Sequence, residues 1–301
     1  MKQISEYSTS ALVWALRRYG EAGPRTFRAL LAKFGRLEAV FEAKVDEIKS
    51  INGLGEKRSQ KISESGLYLD ESEDFIKSLG ARNIKYATLY DEDYPRLFEE
   101  LNDPPPIIFY LGRLPKSDEK TVAVVGSHKA TNEGISFAVE LSRLLAEKSV
   151  SVISGLAAGI DTAGHVGALK GNGTTYAILG TGLDMTKNEN NRALASEIIK
   201  EGGIISEFPP DTGYSVGGLM ARNRLIVGLS QAVVIGEVMA GSSGSLDSAT
   251  FCNQLGKLMF VMIDGCEQPG RDNATVEKIL AMGAIPFRLS DGIDMIIKAL
   301  V

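Results

Sequence analysis

Four short apolar runs in this chain each end in a glycine-rich loop. Thr121–Gly126 (TVAVVG) leads into SHKATNEG, and Val150–Gly155 (VSVISG) into LAAGIDTAGH. Thr175–Gly180 (TYAILG) leads into TGLD, and Ala232–Val238 (AVVIGEV) into MAGSSGS. An apolar run that stops at glycine and gives way to a helical pattern is the signature of a buried parallel strand with a crossover helix. Such loops collect at the carboxyl edge of the sheet, beside helix N-termini. There, free backbone N–H groups and the helix dipole favour anions. The surface these loops build is therefore expected to be a phosphate-binding one.

From Thr121 onward strand and helix patterns alternate to the end of the chain. Helices are expected over 138–145, from Asp161, over 189–200, over 221–229 and over 245–255. Further strands are expected over 203–208, 257–262 and 285–289. This alternation predicts an α/β fold: a Rossmann-like, doubly wound, mostly parallel sheet. The loop after the first strand, GSHKATNEG, lacks the GxGxxG spacing of a dinucleotide site, and no GxxxxGK[ST] P-loop occurs. NAD binding and ATP hydrolysis are thus not indicated, and no cofactor is expected.

The N-terminal part is different. Ile51–Ile62 (INGLGEKRSQKI) places Gly53 and Gly55 in a tight turn before a helix, with Lys57, Arg58 and Lys61 flanking its start. That is the chemistry of a helix-hairpin-helix, which holds a sugar-phosphate backbone without reading bases. Tyr19–Gly35 is a looser copy, with Gly23 and Pro24 at the turn and Arg25 and Arg28 nearby. The alternative is a purely structural or protein-binding helical module. The expected organisation is a small all-α helix-hairpin-helix domain over 1–66, then a Rossmann-like core over 67–301 that includes a lead-in segment over 67–120. In that segment Pro104–Pro106 excludes helix, and Ile107–Leu111 can pair at a sheet edge.

Charge is uneven. The net charge is −5, yet residues 1–70 hold 12 Lys/Arg against 9 Asp/Glu. This suggests a basic contact module beside an acidic body, although it is also within ordinary fluctuation. No apolar stretch reaches the ~20 residues of a membrane span, and the first apolar run is followed rather than preceded by arginines. A cytoplasmic location without membrane contact is expected. With two histidines and two cysteines, no metal or disulfide pattern is present.

At this point the motifs resemble a known family. GSHKAT (126–131), SGLAAGIDTAGHVGAL (154–169), ILGTGLD (178–184), ENNRALASEI (189–198), GIISEFPPDT (203–212), RNRLIVGLS (222–230) and SGSLDSA (243–249) are similar, in order and spacing, to the DNA-processing protein A (DprA, or Smf) family. The DPPP segment at 103–106 and the helix-hairpin-helix module extend the resemblance to nearly the whole chain. The resemblance implies a core that binds single-stranded DNA, protects incoming strands, helps load a RecA-type recombinase in natural transformation, and forms a homodimer. Departures are also legible. His128, with Lys129 beside it, stands where the family commonly has Arg, and Ala158 where it has Arg or Lys; both are places from which the family reaches DNA phosphates. Thr186-Lys187-Asn188 replaces the usual Tyr-Pro, and the C-terminal winged helix of many members is not represented.

The expected DNA or phosphate-binding residues are Gly126, Ser127, His128, Lys129, Gly155, Gly159, Asp161, Gly180, Gly182, Asn190, Arg222, Asn223, Arg224, Ser243, Gly244 and Ser245. Arg222 and Arg224, two apart on a helix expected to start beside them, point in different directions. One can meet a phosphate while the other pairs with an acid such as Glu207 or Glu237. Ser243–Ser245 suit a phosphate, or one of the serines caps the helix. His128 is either partly charged near an anion or a neutral hydrogen-bonding residue. His165 is expected to make a structural hydrogen bond, Asp161 to cap its helix, and Cys252 to pack.

No constellation of residues argues for an enzyme. A remoter resemblance, to nucleotide-processing Rossmann-like proteins of the so-called lysine decarboxylase family, places Ser248 where that family has its catalytic Glu. A sensor or processor of a nucleotide-derived small ligand remains the alternative function, and a protein-interaction scaffold a third.

Overall fold

In a computed structural model of the chain, residues 2–187, 189–241, 243–264 and 270–300 are described. By its internal contacts the chain divides into two units, one of residues 1–94 and 102–109 and the other of residues 95–101 and 110–301. The boundary expected at residue 66 falls in the short turn Ser65–Tyr68, and the first unit continues beyond it.

The first unit contains α1 (Thr9–Arg18), α2 (Pro24–Phe34), α3 (Leu37–Glu42), α4 (Val45–Lys49), α5 (Glu56–Glu64) and α6 (Leu69–Ser78). These are followed by β1 (Lys85–Thr88) and the first half of β2 (Ile107–Gly112). Helix α1 is buried from Ser10 to Leu16. Its Trp14 stacks on Phe75 at 4.2 Å between ring centroids and meets Phe109 edge-on at 5.5 Å, the two arrangements that the aromatic quadrupole favours. Both helical hairpins expected from the sequence are present. Gly23 and Gly55 stand at the N-cap positions of α2 and α5, and neither helix has a side-chain cap. Gly53 has φ +86°, which glycine adopts without a Cβ penalty.

The second unit holds β3 (Thr121–Val125), α7 (Asn132–Glu147), β4 (Ser151–Ser154), α8 (Ile160–Lys170), β5 (Thr175–Leu179), α9 (Glu189–Glu201) and β6 (Gly203–Ser206). It continues with α10 (Val216–Gly228), β7 (Ala232–Ile235), α11 (Ser243–Gln254), β8 (Leu258–Met262), α12 (Asn273–Ala281), β9 (Ile285–Phe287) and α13 (Asp294–Lys298). Strands β3 to β9 lie in the order β6-β5-β4-β3-β7-β8-β9. Every neighbouring pair in this run is parallel. The central strands β3, β4, β5, β6 and β7 are buried along their whole length, as expected of apolar runs covered by helices on both faces. This is the Rossmann-like, doubly wound sheet that the alternation predicted.

From β3 the chain winds through β4 and β5 to β6, then returns to place β7 on the other side of β3. The strand order therefore reverses between β3 and β7, and the loops beyond their carboxyl ends diverge. In open α/β sheets such a switch point opens the crevice in which ligands bind.

Candidate functional site

A cavity of about 640 Å³ lies at that carboxyl edge. Gly126 and His128, from the loop after β3, line it, together with Gly155 and Ala158 after β4, Gly180 after β5, and Ser243, Gly244 and Ser248 of α11. One face of α10 completes it through Leu219, Met220, Arg222, Asn223 and Ile226. Four loops separated by up to about a hundred residues in sequence thus converge on one volume, of the size that ordinarily holds a small organic ligand.

The wall is organised around Arg222. The helix expected at Ala221 begins earlier, at Val216, where the Ser215 hydroxyl accepts the backbone N–H of Gly218. Arg222 and Arg224 therefore sit in mid-helix, not near its start, and are almost fully buried. Arg222 Nη2 lies 3.3 Å from Asp161 Oδ2, and Nη1 donates to the carbonyl of Ile178 at 3.2 Å. Arg224 Nη2 lies 2.6 Å from Glu207 Oε2. The expectation that one arginine is paired and the other left for a ligand is corrected: both are paired, and only Arg222 lines the cavity. A guanidinium buried this deeply needs a counter-charge, because an isolated buried ion costs several kcal/mol or more.

Gly155 makes room for that arginine. A Cβ at residue 155 would coincide with Nη1 of Arg222. Gly159 has a similar constraint: its φ is +79°, and a Cβ there would run into the carbonyl oxygen of Ser127. That same carbonyl accepts the Ile160 N–H at 3.1 Å, joining the loop after β3 to the start of α8. Ser127 is buried and accepts the Lys129 N–H through its hydroxyl. Ser127 and Gly159 thus shape the loops without lining the cavity. Gly182 is likewise structural, since a Cβ there would meet the carbonyl oxygens of Pro209 and Pro210.

Asp161 is the second residue of α8, and the N-cap position is held by Gly159, so the expected capping role is corrected. Its carboxylate receives Arg222, and the backbone N–H of Ala157 favours its charged form. Burial pushes its pKa up, the guanidinium and the N–H pull it back, and the net direction is upward. Ser243 and Ser245 are the first and third residues of α11, so neither is its N-cap. Ser245 is buried, and its hydroxyl has no hydrogen-bond partner among the described residues. Asn223 donates to Asp247 at 3.0 Å, tying α10 to α11. His128 and Lys129 are exposed; His128 lines the cavity and Lys129 does not. The side chain of Asn190, on α9, and residue Asn188 lie outside the described residues. In the first unit Lys57 and Arg58 are exposed at the start of α5, and Arg58 donates to Thr26 at 3.0 Å.

His165, on α8 behind the cavity wall, is fully buried. Its Nδ1 lies 2.7 Å from Thr175 Oγ1, and that hydroxyl already donates to the Val152 carbonyl at 2.8 Å. Nδ1 must therefore carry the proton and donate, which leaves Nε2 as an acceptor without a partner among the described residues. Burial, with Arg222 nearby, holds the imidazole neutral, its pKa pulled down to about 3. Cys252 is buried as expected, its thiol pushed up to about 12 by desolvation.

Several lining residues carried no signal in the sequence reading: Leu156, Met185, Tyr214, Val216, Leu219 and Met220. Ser215 followed by Gly217 and Gly218 was the available cue, an N-cap before two weak helix formers that hid the first turn of α10. Among the described residues there is no group of three or more His, Cys, Asp or Glu side chains that could hold a metal ion. No described helix is long and apolar enough to cross a membrane.

The fold and this site define a Rossmann-like protein with a cavity at the switch point of its sheet, preceded by a tandem helix-hairpin-helix module. Residues 85–297 match the model of the DNA recombination-mediator protein A family, and residues 23–65 match that of the SAM-like helix-hairpin-helix tandem. The chain belongs to the DNA recombination-mediator protein A family. It is 34% identical over 281 residues to protein Smf of Synechocystis, covering 88% of this chain and 70% of that protein. It is 34% identical over 187 residues to DNA processing protein DprA of Streptococcus pneumoniae, covering 60% of this chain and 66% of that protein. The crystal structure of the pneumococcal protein superposes with a TM-score of 0.76 at 26% identity, over 93% of this chain and 95% of that one. DNA processing protein A of Helicobacter pylori, whose structure addresses a single-stranded DNA binding mode, gives 0.61 at 28% identity, over 72% and 98%.

Two outcomes follow from the Arg222 wall. Gly155→Ala must displace the guanidinium from Asp161, and it is expected to destabilise the fold by roughly 2 kcal/mol or more, measured by urea unfolding. His165 has its folded pKa, about 3, below its unfolded value, 6.5. Its contribution is present above pH 6.5 and is lost as the pH falls from 6.5 towards 3, because the unfolded chain takes up a proton that the folded chain refuses. The slope is at most about 1.4 kcal/mol per pH unit. His165→Asn keeps a donor to Thr175 and removes the titration. The difference between wild-type and variant stability should therefore shrink with acidification over that window and stay flat above it.

Proposed function

We propose that this chain is a single-stranded DNA-binding recombination mediator that holds the strand at the cavity on the carboxyl edge of its sheet. The observation that carries this reading is the convergence of four glycine-rich loops and α10 on one cavity walled by Arg222. Family membership supports it, as does the single-stranded DNA binding of the Helicobacter pylori relative. In this reading the chain protects incoming strands, passes them to a RecA-type recombinase during natural transformation, and acts as a homodimer. Its role is binding and delivery, without bond-breaking chemistry. The helix-hairpin-helix module, with Gly53, Gly55, Lys57 and Arg58 at one turn, adds sequence-independent backbone contact.

The two places where the family's usual cations are replaced, His128 and Ala158, both line the cavity. Arg222 is also neutralised by Asp161. Few net positive charges therefore face the ligand, and the salt dependence of binding should be shallow for a nucleic-acid binder. Each phosphate neutralised on a single strand contributes a log–log slope of about −0.7.

The test is titration of labelled oligo-dT at two or more salt concentrations with the wild type and with Ala158→Arg. Residue 158 is exposed, with room for the longer side chain. The expected result is saturable binding that weakens with salt, and a variant that binds more tightly with its slope steeper by about one phosphate, ~0.7. No binding to oligo-dT at low salt would refute the reading. Competition by a mononucleotide at similar affinity, with no preference for the strand, would favour the small-ligand alternative.

A further inference from the structure

The cavity is poor in net charge and rich in carbon. Apart from Arg222, neutralised by Asp161, and Asn223, tied to Asp247, the residues that line it on the α10 side are apolar. Two of its lining residues, Tyr214 and Val216, are 66% and 68% exposed. Large apolar side chains are exposed at few places among the described residues, and these are the only two of them that line the cavity. The Tyr214 ring has no aromatic, cationic or hydrogen-bonded partner among the described residues.

The backbone beneath this pair is held on both sides. Thr212 accepts the Gly182 N–H at 2.8 Å, Pro210 accepts the Asp184 N–H at 2.9 Å, and Ser215 caps α10. An aromatic side chain is thus displayed from a fixed stretch of chain at the edge of the cavity, with most of its surface exposed. Proteins that hold single-stranded nucleic acid combine backbone contact with aromatic platforms on which bases stack, a contact that tolerates any base because each presents a π-face.

We infer that Tyr214 is a base-stacking residue: one nucleobase of the bound strand lies on its ring, with Val216 beside it, at the mouth of the cavity. The inference rests on the single-stranded DNA reading above and adds a specificity that phosphate contact lacks. The site distinguishes a strand that carries bases from one that does not. What the cavity lacks in cations it supplies as apolar contact with the base.

The experiment compares oligo-dT with an oligonucleotide of equal length made of abasic sugar-phosphate units, using the wild type, Tyr214→Ala and Tyr214→Phe. Tyr214 is exposed, so all three should fold alike, which thermal unfolding checks. The wild type should bind oligo-dT more tightly than the abasic strand. Tyr214→Ala should lose affinity for oligo-dT on the order of tenfold, with little change for the abasic strand and no change in salt slope. Tyr214→Phe, which keeps the ring, should bind as the wild type does. An alanine variant that weakens both strands equally, or neither, overturns the stacking role while leaving the single-stranded DNA reading intact. A wild type that binds neither strand overturns both.

Discussion

The second unit is organised around a buried cation. Arg222 lies inside the sheet's carboxyl edge, where α10, β4 and β5 meet, and each neighbour is constrained by it. Residue 155 has no side chain because the guanidinium occupies the place a Cβ would take. Asp161 supplies the negative charge, and Ile178 contributes a backbone carbonyl. A buried ion pair adds little net stability compared with an apolar replacement, but breaking one half of it is costly. Its role is therefore best understood as geometric. It fixes the register between α10 and the loop after β4, and so the shape of the cavity that both line.

Around that pair the loops are joined by backbone contacts that tolerate little else. Ser127 links the loop after β3 to α8 and to Glu237. The Glu237 carboxylate accepts the backbone N–H of Thr131 at 2.6 Å and its hydroxyl at 2.7 Å, placing a negative charge at the start of α7, where the helix dipole favours it. At the far end of α10, the ammonium of Lys257 donates to the carbonyls of Gly228 and Ser230 and pairs with Glu100. The helix that carries Arg222 is thus capped by a hydroxyl at one end and by a buried cation at the other. A wall held at both ends in this way lowers the ordering cost of whatever it binds.

Much of this architecture was legible in the sequence, for physical reasons. Central parallel strands are buried on both faces, so their apolar runs stand out, and the glycines that end them mark the loops. The hairpin turns at Gly23 and Gly53–Gly55 were legible because a turn before an uncapped helix has few other solutions. Gly217 and Gly218 weaken the helical pattern, so the sequence hides the first turn of α10 and suggests a helix start beside Arg222 and Arg224. One partner is legible: the sequence offers Glu207 and Glu237 as acids for an arginine, and Glu207 pairs with Arg224. The sequence suggests only a cap for Asp161, since pairing it with Arg222 requires contact across 61 residues that no local pattern reveals. Tyr214 and Val216 were invisible for the same reason, because only the folded chain shows which exposed residues border a cavity.

On the function proposed above, single-stranded DNA is held at this cavity. Photocrosslinking with a 4-thiothymidine oligonucleotide, followed by mapping of the attached peptides, tests it most directly. Crosslinks should concentrate in the loops at 126–129, 155–159 and 180–186 and in the segment 212–223 that leads into α10. Crosslinks confined to residues 19–65, with those cavity segments untouched, would contradict the account and place the strand on the helical module instead.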